Sequence, residues 1–230
     1  MDHEVKQLSV ITTVEKQKRG KHRYNIFLNE EYAFSVHEDI MIKHRLVKGE
    51  SVDSEQVSLI VRDEERNSAY IKAIRMIGRR PHSTNEVKRK LKEQEFEQPV
   101  IDWTCDTLTQ QNYINDEEFA KMWTENRITL QRKGRNLVRQ ELQQKGIQKE
   151  LVNDAMETIN PEDEFEAAMK LAQSKWKQSS GKTMIEKKRK TGAFLMRRGY
   201  TGTVVNKVLG QLSSEPIEEE FEDPEETFDY

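Results

Sequence analysis

The chain has 230 residues, of which 34% are charged and 34% hydrophobic, and its one cysteine is Cys105. That balance implies a thin core shared by one or two domains, and a lone cysteine excludes an internal disulfide framework or a cysteine-built zinc site. No apolar run approaches about 18 residues and no signal-peptide pattern stands at the start, so a cytoplasmic chain without a membrane segment is expected.

The net charge of −3 hides an asymmetry. Residues 215–230 (EPIEEEFEDPEETFDY) hold nine acidic residues and no basic one, which leaves 38 basic against 32 acidic residues elsewhere, or +6. A basic body points to a polyanionic partner. The tail has two readings: a disordered solubilising segment, or a mask for the basic body.

In chain order, residues 9–14 (SVITTV), 24–28 (YNIFL) and 32–36 (YAFSV) are β-branched or aromatic with period two, which predicts a small antiparallel sheet. Residues 15–23 carry five Lys or Arg and give that sheet a basic tip. Helices follow. Ser35-x-x-Glu38 reads as a capping box for a short helix to Leu46, and Asp53 or Ser54 opens a longer one through Ile77. Pro81 stops it, and Ser83-x-x-Glu86 is a second capping box, for a helix over 84–94. Pro99 suits the first turn of the next helix, to about Gln111. Asn115 caps another, with the stripe Phe119, Met122 and Trp123, and Gly134 separates it from a helix over 137–145. Asn160-Pro161 opens the last group, loosened by the loop 178–182 (QSSGK).

These helices are one unit written three times at a period of 51 to 53 residues. With Leu91, Leu142 and Leu195 aligned, Phe96, Ile147 and Tyr200 fall five residues later, and Val100, Leu151 and Val204 nine later. Thr104, Ala155 and Val208 follow, then Leu108, Ile159 and Leu212. Gly146 and Gly199 stand where a helix end takes a left-handed residue; Glu95 replaces glycine in the first copy. Stacked repeats of this kind predict an elongated helical array with a large partner.

Each middle helix is flanked by basic residues: Arg79, Arg80, Lys88 and Arg89, then Lys133, Arg135 and Arg139, then Lys187, Lys188 and Arg189. They are either solvated helix faces or a periodic track for a phosphate backbone or an acidic filament. Trp103, Trp123 and Trp176 are packing residues or stacking platforms, and Cys105 reads as a buried small hydrophobe. The histidines are scattered without ligand spacing, and no phosphate-binding glycine loop or nucleophile motif occurs, so no catalytic residue, cofactor or metal is expected.

Several stretches together resemble the RecX family, in its long Gram-positive form. They are Arg79-Arg80-Pro81-His82-Ser83 with Glu86-Val87-x-x-Lys90-Leu91, and Tyr113-Ile114-Asn115-Asp116-x-x-Phe119-Ala120 with Arg127 and Lys133-Gly134. Glu141-Leu142-x-x-Lys145-Gly146-Ile147 and the N-terminal Tyr24–Leu28 and 32–39 stretches extend the match, which covers residues 8–212. Asn115, Glu95 and the acidic C-terminus depart from the family pattern. The resemblance implies three tandem three-helix repeats that bind within the groove of the RecA–single-stranded-DNA filament and modulate RecA, mostly as an inhibitor. RecA and single-stranded DNA are then the expected partners, of a chain expected to be a monomer. The alternative is a stand-alone DNA-binding protein using one helix-turn-helix. The expected organisation is a β-rich element with a short helix (1–60), repeats over 61–114, 115–160 and 161–212, and the acidic tail (213–230).

Overall fold

A computed structural model describes residues 8–18, 22–179 and 183–214. Residues 19–21 of the predicted basic tip, residues 180–182 of the 178–182 loop and the acidic tail from residue 215 lie outside the described residues. The chain divides into two compact units, residues 1–119 and 120–230.

The first unit opens with strands β1 (Ser9–Lys16), β2 (Arg23–Leu28) and β3 (Glu31–His37), joined by a two-residue β4 (Ser51–Val52). The sheet order is β3-β2-β1-β4, with antiparallel neighbours throughout. Asn29 and Glu30 turn β2 into β3 with φ of 50° and 70°, the pair of left-handed residues that matches strand twist in a tight hairpin. Period two sends Ile11, Ile26 and Val36 to one buried face, where they meet Ile40, Leu46, Val52 and Ile60.

Helix α1 (Glu38–Lys43) is shorter than expected and is capped by His37, not Ser35. Ser35 is still in β3, where its hydroxyl donates to Asn25 Oδ1 at 2.7 Å, and Glu38 instead receives His22 Nδ1 at 2.7 Å and Tyr24 Oη at 3.1 Å. Strand pairing outcompeted the cap.

Helix α2 (Ser54–Ile77) starts from a reciprocal Asp53–Gln56 capping box. Its first half gives Ile60 to the sheet's core; its second half gives Ala69 and Ala73 to the first helical repeat. That repeat is completed by α3 (Thr84–Lys92), with the predicted Ser83–Glu86 box, and by α4 (Gln98–Gln110). Val87, Leu91, Ile101, Cys105 and Leu108 fill its centre. Burial pushes the Cys105 thiol up to about 11, which suits an inert packing residue.

The second unit begins within α5 (Asp116–Glu125), which runs on into a π-helical turn (Asn126–Leu130) that no sequence signal announced. There follow α6 (Arg135–Gln144), α7 (Lys149–Glu157), α8 (Pro161–Lys177), α9 (Met184–Arg197) and α10 (Gly202–Ser214). Asn115 and Asn160 cap α5 and α8 as expected: Asn115 Oδ1 accepts from the Glu118 amide and Asn160 Oδ1 from that of Glu162, each at 3.0 Å.

The ladder is buried in all three copies. Leu91, Leu142 and Leu195 are fully enclosed, as are Thr104, Ala155 and Val208. One rung shifts: Leu151 and Val204 are half-buried while Val152 and Val205 turn inward. Each middle helix ends the same way. Glu95, Gly146 and Gly199 take φ of 64°, 75° and 92°, and the next amide returns to Leu91, Leu142 or Leu195 O at 3.3, 3.1 and 3.2 Å. Glu95 thus holds a conformation that costs a side-chain-bearing residue about 1–2 kcal/mol.

Candidate functional site

The ten basic residues singled out above do different things. Half of them are held by carboxylates. In the first unit, Arg80 Nη2 reaches Glu86 at 3.3 Å, Lys88 reaches Asp102 at 2.8 Å and Arg89 reaches Glu93 at 3.6 Å, while Arg79 is exposed. Arg80 therefore braces the carboxylate of the capping box that starts α3.

In the second unit, Lys133 and Arg127 converge on Glu141 at 2.6 and 2.9 Å, joined by the indole N–H of Trp123 at 2.9 Å. Burial raises the Glu141 pKa, but these three donors outweigh it and hold the carboxyl below its ordinary range. The Arg127 guanidinium also lies 3.8 Å from the centre of the Trp123 ring and Lys145 Nζ 4.1 Å from it, so cations cover this indole. Trp123 is packing, not a platform.

Arg135 is committed too. Its backbone N–H donates to Glu164 Oε1 at 3.1 Å and its guanidinium grips Glu164 Oε2 at 2.7 Å, with Glu164 only 1% exposed. An equivalent stitch occurs one repeat earlier, where the Thr84 N–H donates to Asp116 Oδ1 at 2.8 Å. In both cases an acid on the first helix of one repeat satisfies the first amide of the preceding repeat's middle helix, a group that intrahelical bonding leaves open. The sequence carried this signal, since Thr84 and Arg135 share a place in the period, but first-turn acids are too common to single out.

What remains available is concentrated on α9. Lys188 and Arg189 are exposed and, among the described residues, pair with no carboxylate; Lys187 lies 6.0 Å from the Trp176 ring. Ile185 beside them is 79% exposed. Arg139, on α6, is half-buried with its Nε lacking a hydrogen-bond partner, at a hollow it shares with Arg135, Asn153 and Pro161. No group of three or more His, Cys, Asp or Glu among the described residues is placed to hold a metal, and no described helix is long and apolar enough to cross a membrane.

Four family models match in order along the chain. The Regulatory protein RecX N-terminal domain covers residues 9–53, and the first, second and third three-helix domains of RecX cover 69–108, 115–156 and 162–209. A "Regulatory protein RecX" of Bacillus cereus (strain B4264) is 32% identical over 216 residues, 92% of this chain and 80% of that protein. The protein of the same name from Bacillus thuringiensis (strain Al Hakam) is 33% identical over the same span. A solved structure titled "Crystal structure of regulatory protein RecX" superposes with a TM-score of 0.73 at 29% identity, over 87% of this chain and 98% of that one. RecX from Lactobacillus salivarius, 19% identical with a TM-score of 0.62 over 66% of this chain and 98% of that one, shares the fold.

Proposed function

The chain belongs to the RecX family of regulatory proteins, and from that premise we propose that it acts on RecA, binding in the groove of the RecA–single-stranded-DNA filament and chiefly inhibiting it. On this reading it is a monomer with no chemistry of its own. Repeats over 61–114, 115–160 and 161–212 follow the β-rich element at 1–60, and the acidic tail at 213–230 lies beyond them.

The observation that carries the reading is the unbroken order of all four family domains along one chain. Of the ten basic residues, Arg80, Lys88, Arg89, Lys133 and Arg135 are engaged by carboxylates, so the electrostatic part of binding falls mainly on Lys187, Lys188 and Arg189 of α9 and on Arg79 and Arg139. Such binding weakens steeply with salt, because it displaces counterions from the polyanion.

Co-sedimentation with RecA filaments, beside naked single-stranded DNA across a salt series, tests this. The expected outcome is tighter binding to filaments than to bare DNA, with reduced ATP turnover by RecA. Equal affinity for bare DNA with unchanged turnover would refute it. A second reading, a stand-alone DNA-binding protein led by one helix, gains support from Lys188 and Arg189, exposed side by side on α9 with no carboxylate partner among the described residues. It predicts that duplex DNA alone binds as tightly as the filament.

A further inference from the structure

We propose that the pocket between α1, α2 and α4 in the first unit receives a single unstacked nucleobase of a single-stranded nucleic acid, laid against the indole of Trp103. This rests on the reading above only in taking single-stranded DNA as part of what the chain meets.

The hollow measures about 400 Å3, within the ~300–1,000 Å3 range of small-ligand pockets. Three kinds of group converge on it. The first is an aromatic surface: Trp103 is 36% exposed, with one cation over its ring at 5.0 Å where Trp123 has two at 3.8 and 4.1 Å, and Tyr70 also lines the hollow. The second is a set of edge-reading amides. Asn67 lines the hollow and its amide nitrogen is buried with no hydrogen-bond partner, while Gln111, also in the lining, accepts from the Tyr70 hydroxyl at 2.7 Å. An unpaired buried amide is costly, and a ligand that brings a hydrogen-bonding edge relieves it after a small side-chain rotation.

The third is positive charge beside the aromatic. The Arg66 guanidinium lies 5.0 Å from the Trp103 ring centre, and Lys43 stands at the rim. Asp63, the acid lining the hollow, is occupied by Lys43 at 2.7 Å and His44 at 2.8 Å. Arg66 therefore has no carboxylate partner among the described residues and is placed for a phosphodiester or for stacking on the base itself.

A planar ring with polar edges, attached to one negative charge, satisfies all three together. An aliphatic peptide side chain would leave Asn67 unpaired, and a bare phosphate would leave the indole in water. A base within a duplex has its faces already stacked, so the occupant comes from a single strand.

The test uses the full chain, without RecA, and an oligothymidylate of roughly 16 nucleotides beside a strand of equal length carrying abasic sites. Trp103→Ala should weaken binding of the thymidylate roughly five- to a hundred-fold, as loss of one base–aromatic stack does, and Trp103→Phe should retain most of it. The abasic strand should bind wild type weakly and show no dependence on residue 103. In wild type, photocrosslinking with 4-thiothymine should label Trp103 or Tyr70, which keeps the test valid if the alanine variant is unstable.

Unchanged affinity of Trp103→Ala, an equal loss on the abasic strand, no binding of the thymidylate by wild type, or a crosslink placed elsewhere would each overturn the proposal. So would a loss seen only on RecA filaments, which would assign the pocket to a protein side chain. A wild-type chain that sediments with filaments yet fails these tests overturns the pocket alone; failure to sediment overturns the proposed function instead.

Discussion

Gly199→Ala should damage the second unit out of proportion to one added methyl. Gly199 ends α9 with φ +92°, and a Cβ there would sit 2.5 Å from the Leu137 backbone nitrogen and 2.9 Å from Gly134 O. The reciprocal position is as tight, since a Cβ on Gly134 would collide with the backbone at Gly199 and Tyr200. This close crossing is what lets the Gly134 N–H donate to Arg198 O at 2.8 Å and the Asn136 N–H to Gly199 O at 3.0 Å. The left-handed conformation costs alanine about 1–2 kcal/mol, and losing two backbone hydrogen bonds adds about 1 kcal/mol each. A loss of about 3–4 kcal/mol is therefore expected from urea unfolding of the second unit. Hydrogen exchange at the Gly134 and Asn136 amides should speed up before the rest of α6 does. Gly210→Ala is the control: that helical position has no atom within 4 Å of the new Cβ, so the change should be neutral or stabilise by up to about 1 kcal/mol. If Gly199→Ala stays within about 1 kcal/mol of wild type with unchanged amide exchange, the crossing does not couple the second and third repeats.

Glu95→Gly should raise the thermal midpoint of the first unit, because relief of a ~1–2 kcal/mol left-handed strain exceeds the ~0.4–1 kcal/mol entropy that glycine adds to the unfolded chain. Glu141→Gln leaves Arg127 and Lys133 near a carboxamide and should cost about 2 kcal/mol at neutral pH, measured by urea unfolding. Since donors depress the Glu141 pKa, its stabilisation is complete above the ordinary value of 4.5 and fades as pH falls through the lowered one; the gap between variant and wild type should close in acid. Lys188→Glu with Arg189→Glu should weaken filament binding and flatten its salt dependence while leaving helicity unchanged, whereas a charge-reversed Arg135 should unfold the unit first by stranding the buried Glu164.

Much of the fold was legible because local rules agreed. The ladder positions, the Asp53, Ser83, Asn115 and Asn160 caps, and the left-handed helix ends at Gly146 and Gly199 all follow from spacing and cap chemistry within a few residues, whereas the left-handed Glu95 does not. Failures came where a local signal met a longer-range competitor. Ser35 has the sequence of a cap, but its backbone pairs in β3 across from Asn25. The π-helical turn at Asn126–Leu130 inserts a residue's worth of backbone without any proline or glycine to mark it. The basic track was the least legible part, because a lysine bound to a carboxylate and one facing solvent look identical in a string of letters.

Sequence by itself determined the repeat, the element types and the membership that follows from their order, since periodic burial and helix ends depend on neighbours a turn or two away. Only the tertiary structure decided which charges are spent. Glu86, Glu141 and Glu164 reach their cations across 6 to 29 residues of chain, at distances set by how helices stack. The same stacking covers Trp123 with Arg127 and Lys145 yet leaves Trp103 facing a hollow with an unpaired amide beside it. Coulomb energy and desolvation depend on distance in space, not along the chain, so no reading of residue types distinguishes a brace from a binding surface.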